Sequence, residues 1–247
     1  QLIEKHNVTC YQLGKDFYFR ESDEVSEGKN SYPKQATWHY SNAAVTLQLP
    51  RPKLSLTNTA NALSAIMASP LNIDIDAIKR ALSTVKLAGR FDYRQLANRH
   101  WLFDVAHNEH GVAFMLAQLL PLWQNHLQCR AISQLDSQVD SKSATVKILF
   151  SMLADKDIAL VVQRLTQADL PISAWFIAEI DYPRAANIKQ LTTAMTPYVD
   201  INDIYTFDNL PQATQAIIEA SQSEDLILVC GSFHTIGETL TTLAVER

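Results

Sequence analysis

The chain has 247 residues, 47% of them hydrophobic and 19% charged, and a formal net charge of −5. That is ordinary globular composition, enough for one large domain or two small ones, and its mild acidity argues against a nucleic-acid footprint, which would need a basic face. No apolar run reaches the about 18 residues of a membrane span, and the start at Gln1–His6 carries no apolar signal segment, so a cytoplasmic chain with no membrane or nucleic-acid partner is expected.

Residues 2–8 read as the end of a helix, and Thr9–Leu13 and Phe17–Phe19 as short strands. Glu21–Lys34 is polar, contains Gly28 and Pro33, and reads as a loop. Thr37–Tyr40 and Val45–Leu49 form a predicted hairpin around Ser41 and Asn42. A helix is expected over Asn58–Ala68, with Ala62, Ala65 and Ile66 as its apolar positions. A second starts at Asp74, a good N-cap, and places Ile75, Ile78, Leu82 and Val85 on one face. This first part has no parallel sheet and reads as the tail of a larger domain.

After Gly89 the pattern changes. Strands are predicted at Arg90–Tyr93, Trp101–Val105, Val146–Phe150, Ile172–Ala178 and Leu226–Cys230. Helices are predicted at Asn108–Leu120, Lys156–Leu165, Ala185–Thr196, Leu210–Ala220 and about Ile236–Val245. Strands alternating with helices give βαβ units, hence an α/β, Rossmann-like domain with a mostly parallel sheet. Ile132–Ser143 reads as a solvated loop, and the domain boundary falls near Leu87, dividing the chain into 1–87 and 88–247.

Cys10, Cys129 and Cys230 are far apart and odd in number, so they read as reduced structural thiols. The histidines show no zinc spacing, and no metal site is expected within this chain. The six glycines, at 14, 28, 89, 111, 231 and 237, offer neither GxGxxG nor GxxxxGK[ST]. Both fingerprints need clustered glycines so that backbone N–H groups can approach phosphate.

Candidate site residues lie where predicted strands end, because ligands of open α/β sheets bind outside the carboxyl ends of the strands. Asp104, His107 and Asn108 follow one such strand. A carboxylate there can accept from a hydroxyl or an ammonium, and an imidazole can contact an anion; alternatively Asn108 only caps a helix and Asp104 only ends a strand. Arg90, after Gly89, carries the planar fork suited to phosphate, although an isolated arginine is also an ordinary surface charge. Cys230-Gly231-Ser232-Phe233-His234 ends another strand, but it lacks the GxSxG elbow of a serine hydrolase. Met152–Asp157 follows a third, with Asp155 as the expected helix cap and Lys156 in reach of an anion.

Four segments in order, Leu87–Phe91, Phe103–Asn108, Met152–Asp157 and Val229–Thr235, resemble the motifs of the dihydrofolate synthase/folylpolyglutamate synthase family of the Mur ligase superfamily. The resemblance covers about Asn58 to the C-terminus, more weakly Gln1–Pro52, and leaves Ile132–Ser143 unmatched. It implies an ATP-dependent amide ligase in which a pteroate or folate carboxylate becomes an acyl phosphate that the amine of L-glutamate attacks. It further implies that residues 1–87 are the end of an ATP-binding domain whose P-loop and Mg2+ ligands would precede Gln1, making activity of this chain by itself doubtful. By resemblance Asn58 belongs near adenine, Arg90 at the ATP phosphates, Asp104 at nucleotide and substrate, His107 at the incoming glutamate, and Ser232 near that pocket. Relatives of this type imply small-molecule substrates (dihydropteroate, folates, L-glutamate) and a monomer. Departures are Ala88 where proline is usual before Gly-Arg, and Glu109 where proline usually follows Asp-Val-Ala-His-Asn. A cell-wall Mur-type ligase and a non-catalytic binding domain of the same fold are the alternatives.

Overall fold

The computed structural model describes residues 9–25, 36–134 and 144–244, with side chains described outside 23–25 and 126–134. The chain divides into two compact units, Gln1–Lys86 and Leu87–Arg247.

In the first unit β1 (Phe17–Val25), β2 (Ala36–Asn42) and β3 (Thr46–Pro50) form an antiparallel sheet in that order. The β2–β3 hairpin turns at Asn42, whose Oδ1 accepts the N–H groups of Ala44 and Val45 at 2.9 Å each, an Asx turn that replaces ladder bonds with side-chain ones. Alternation along the strands sends Trp38, Tyr40 and Leu49 inward. There they pack with Phe17, with Leu56, Ala60 and Leu63 of α1 (Leu56–Ala68), and with Ile78 of α2 (Ile75–Thr84).

Three expectations for this unit change. Thr9–Leu13 forms no strand; Leu13 makes one isolated bridge to Phe17, and the Asp16 carboxylate accepts from Gln12 N–H at 2.8 Å to close a turn. The expected loop from Glu21 begins later, because pairing with β2 extends the strand to Val25; residues 26–34, like the expected helix end at 2–8, lie outside the described residues. The buried stripe of α1 is Leu56, Thr59, Ala60, Leu63 and Ser64, while Ala62 and Ala65 are exposed. The helix starts two residues earlier than predicted, and its two leucines bury far more area than alanines do, so they set which face turns inward. Asp74 does stand at the N-cap of α2, but its side chain makes no capping bond.

The second unit is an α/β domain on a six-stranded sheet. Its strands are β4 (Asp92–Leu96), β5 (Arg99–Asp104), β6 (Val146–Phe150), β7 (Ile172–Ala178), β8 (Ile204–Phe207) and β9 (Leu226–Cys230), ordered β4-β5-β9-β6-β7-β8. All pairs are parallel except β4 with β5. Helices α3 (Glu109–Gln134), α4 (Ile158–Thr166) and α5 (Ile188–Met195) cover one face, where Met115, Leu119, Val161, Leu165 and Leu191 meet Leu102, Ile148, Trp175 and Leu228. Helices α6 (Leu210–Ala220) and α7 (Phe233–Thr242) cover the other, where Leu210, Ile217 and Leu240 meet Phe103, Leu149, Phe176 and Val229. Strands buried on both faces read as near-continuous apolar runs, which is why β6, β7 and β9 stand out in the sequence.

The remaining boundaries shift for local reasons. The first strand is the antiparallel edge Asp92–Leu96 rather than Arg90–Tyr93, because Gly89–Phe91 is spent on a turn with φ of +71° at Gly89 and +47° at Phe91. Short, half-exposed β8 has no apolar run and was not predicted. Helix α3 continues through Pro121 to Gln134, so residues 132–134 of the expected loop are helical; 135–143 lie outside the described residues. Asp157, not Asp155, caps α4 by accepting from Leu160 N–H at 3.0 Å. Helix α7 begins at Phe233, three residues before the predicted start.

At the amino edge of the sheet Lys147 of β6 meets Asp225, which precedes β9, at 2.6 Å; the side chains are only 12% and 5% exposed. Burial raises the Asp225 pKa, but the Gln222 N–H, Lys147 and the Thr145 N–H and hydroxyl outweigh it and hold the carboxyl below its ordinary value. A carboxyl lowered by folding adds stability above its unfolded pKa and loses it as pH falls through the folded one. Asp225→Ala leaves a buried ammonium unpaired and is expected to cost about 3–5 kcal/mol by urea denaturation at neutral pH. The deficit should shrink as pH drops below 3.8, the ordinary value for Asp.

Candidate functional site at the carboxyl edge of the sheet

Strand β9 lies between β5 and β6. The helices after β5 and β6 pack on one face and the helix after β9 on the other. Chain leaving adjacent strands in opposite directions opens a crevice, the usual ligand position of an open α/β sheet. Arg90, Asp104, His107 and Ser232 all stand at this edge, Asp104 as the last residue of β5 and the others in the connecting turns.

Asp104 ends β5 with 6% of its surface exposed. Its carboxylate accepts from Phe91 N–H at 2.8 Å and from Ala106 N–H at 2.9 Å. Burial raises its pKa, opposed by those two N–H groups and by the charges of Arg90 and His107. The Phe91 bond also accounts for that residue's left-handed backbone, because it fixes the turn that carries Arg90. Gly89 accepts from Val105 N–H at 2.9 Å, binding the same turn to the end of β5. A methyl group on Gly89 would lie 3.0 Å from Ile236 of α7.

His107 Nδ1 lies 2.8 Å from the Val105 carbonyl. A carbonyl can only accept, so Nδ1 carries a proton and the neutral ring has Nε2 as its acceptor. Asn108 does cap α3, its Oδ1 accepting from Gly111 N–H at 2.8 Å. Ser232, 5% exposed, caps α7 by accepting from His234 N–H at 3.1 Å.

Gly231 (φ +106°) fits because it has no side chain: a Cβ there would sit 2.4 Å from the Ser151 carbonyl oxygen at the end of β6. That same carbonyl accepts from Thr235 Oγ at 3.0 Å. The Ser151 hydroxyl is buried and, among the described residues, unpaired. Beyond it Asp155 pairs with Arg184 at 2.5 Å, which holds its carboxyl below the ordinary value. Lys156, expected to reach an anion, has its Nζ 3.9 Å from Asp155.

Sequence reasoning missed the aromatic contacts. Tyr182, after β7, stacks on His234 with ring centroids 4.2 Å apart, and Phe233 lies beneath the Arg90 guanidinium, 5.1 Å from Cζ to the ring centre. Applying the strand-end rule to β7 as well would have reached Tyr182 and Arg184. Asn58, the fifth candidate, is exposed on α1 of the first unit. Cys230 is buried beside Asp104; burial first, then that charge, pushes its thiol up, so it is no nucleophile.

The second unit is thus a doubly wound α/β domain with an arginine, a buried carboxylate and an imidazole at the carboxyl edge of its sheet. Residues 89–233 match the family described as Mur ligase, glutamate ligase domain, and the chain belongs to that family. It is 30% identical over 211 residues to the dihydrofolate synthase/folylpolyglutamate synthase of Escherichia coli (strain K12), covering 85% of this chain and 43% of that protein. The protein of the same name from Buchnera aphidicola subsp. Schizaphis graminum is 28% identical, over 83% of this chain and 43% of its own length. Among solved structures, E. coli FolC in complex with DHPP and ADP aligns with a TM-score of 0.66 and 27% identity, over 94% of this chain and 47% of that one. The chain therefore spans less than half the length of the curated relatives it matches.

Two substitutions test this geometry. Gly231→Ala should lower the unfolding free energy by about 2–4 kcal/mol, through both its backbone angle and the overlap with Ser151; unchanged stability would show that the edge relaxes freely. Because folding raises the Asp104 pKa, its protonated form favours the native state, and that contribution is lost as pH rises from the ordinary 3.8 through the raised value. Asp104→Asn should flatten this part of a stability–pH curve.

Proposed function

We propose that this chain is the glutamate-adding portion of an ATP-dependent amide ligase that joins L-glutamate to dihydropteroate and to folate polyglutamates. In this reading residues 88–247 are the C-terminal domain of the ligase, and 1–87 the end of its ATP-binding domain. The observation that carries the reading is Arg90: an exposed guanidinium with no hydrogen-bond or ion-pair partner among the described residues, beside a buried carboxylate at the sheet crevice. Such a fork fits a phosphate group.

The chemistry asks for neutralised phosphate charge and for an amine aligned with an activated carbonyl, not for a covalent protein nucleophile. Arg90 takes the phosphate charge, and Asp104 fixes the turn that presents it. His107 and Ser232 face the incoming glutamate, and Asn58 belongs to the adenine end. ATP would supply the phosphoryl group and Mg2+ would screen its charge, its ligands lying in the part of the relatives that this chain does not span. On this reading the chain by itself is inactive, and the whole ligase is a cytoplasmic monomer acting on small molecules. No helix among the described residues is long and apolar enough to cross a membrane.

The test uses the native gene product, with whatever sequence its gene encodes before Gln1. Dihydropteroate, L-glutamate, ATP and Mg2+ should yield ADP, inorganic phosphate and dihydrofolate. Consumption of a UDP-muramyl peptide instead, or of neither acceptor, overturns the proposal. In an active protein Arg90→Ala should cut turnover at least about 100-fold with its melting temperature unchanged.

A further inference from the structure

Side chains are described for five arginines of the second unit: Arg90, Arg94, Arg99, Arg164 and Arg184. Arg94, Arg164 and Arg184 pair with Asp92, Glu109 and Asp155, and Arg99 donates to the carbonyls of Ser221 and Asn98. Arg90 differs from them all, since its described side-chain contact is the ring of Phe233. Phe233 is itself unusual. At 58% exposure it is the most exposed large hydrophobic residue described in this unit, although it begins a helix whose next apolar residue, Ile236, is buried.

We propose that Phe233 is a positioning residue for the proposed ligation, holding Arg90 at the crevice by its ring face so that the guanidinium reaches the ATP phosphates with its charge and every N–H donor unspent. The inference rests on the ligase reading and concerns a residue which that reading leaves without a role. The choice of partner matters physically. A carboxylate would fix an arginine more tightly, as Asp155 fixes Arg184, but it would occupy the fork and neutralise it. An aromatic face attracts the cation through the ring quadrupole and takes no N–H. Phe233 is also well anchored: Ser232 caps its helix, and Thr235, two residues on, bonds to the Ser151 carbonyl. The turn bearing Arg90 is anchored separately through Phe91 to Asp104. Ring and guanidinium therefore belong to two fixed supports, and their contact orients a long side chain that is otherwise unrestrained.

Phe233→Leu keeps an apolar side chain and removes the quadrupole; Phe233→Trp restores it. In NMR spectra of the 247-residue chain, the Arg90 side-chain protons should be shifted upfield by the ring. The shift should vanish in Phe233→Leu and persist in Phe233→Trp. In the native gene product, Phe233→Leu should raise the KM for ATP by about two- to fivefold, the worth of one exposed cation–π contact. The KM for glutamate should stay within error, and Phe233→Trp should recover the wild-type value. Unshifted Arg90 protons in the wild type, or an active Phe233→Leu enzyme with an unchanged KM for ATP, would overturn the inference and leave the ligase reading standing. A gene product that performs no ATP-dependent ligation overturns both.

Discussion

The close approach of Gly231 to the end of β6 is the constraint on which the rest of the site depends. Only a residue without a side chain fits there, since a Cβ would sit 2.4 Å from the Ser151 carbonyl oxygen, and passing there brings the start of α7 to the middle of the sheet edge. The next residues then act in succession. Ser232 caps the helix, Phe233 meets Arg90, His234 meets Tyr182, Thr235 bonds to Ser151, and Ile236 packs beside Gly89. One helical turn thus touches the chain before β4, after β6 and after β7. None of these contacts is strong by itself, but their points of attachment are covalently consecutive, so displacing one displaces the others.

How much of this the sequence revealed follows from what each element buries. β6, β7 and β9 were legible to the residue because both of their faces are covered and their composition is predominantly apolar, with Lys147 and Ser173 confined to the starts of β6 and β7. β8 and β4 were missed or misplaced because they stand at sheet edges, where half-exposed positions accept polar residues. On α1 a count of alanines gave the wrong face, because side-chain area rather than apolar identity decides which stripe is buried.

The site was legible to a similar depth. Polar residues just after strand ends were found, since position along a βα unit determines which edge they occupy. Their division of labour was not. Asp155 looked like a cap and is an ion-pair partner, while Asp157 two residues on is the cap. Ser232, expected near the substrate pocket, also caps α7, its hydroxyl oxygen accepting from the His234 N–H. Each outcome turns on a local distance of an ångström or two that spacing in the sequence does not specify. The pairings of Tyr182 with His234 and of Phe233 with Arg90 were not legible for a related reason: a ring carries no signal of which cation or imidazole it will face.

The two edges of the sheet also differ in how they tolerate change. Asp104 is the last residue of β5, and His107 and Ser232 follow β5 and β9 by three residues and two, so their positions are set by strand length. Adding two residues to β5 or β9 would carry its turn about 6.6 Å further out, more than enough to part Asp104 from Phe91. Among the described residues, the connections that enter the strands at the opposite edge are tied close to the strand starts, by Lys147 and Thr145 to Asp225, by Ser173 to Thr145 and by Arg99 to the Ser221 carbonyl, which leaves the rest of each connection free to vary in length. Length variation among descendants of this domain should therefore collect there, while the segments leaving β5, β6 and β9 keep their number of residues even where their identities drift.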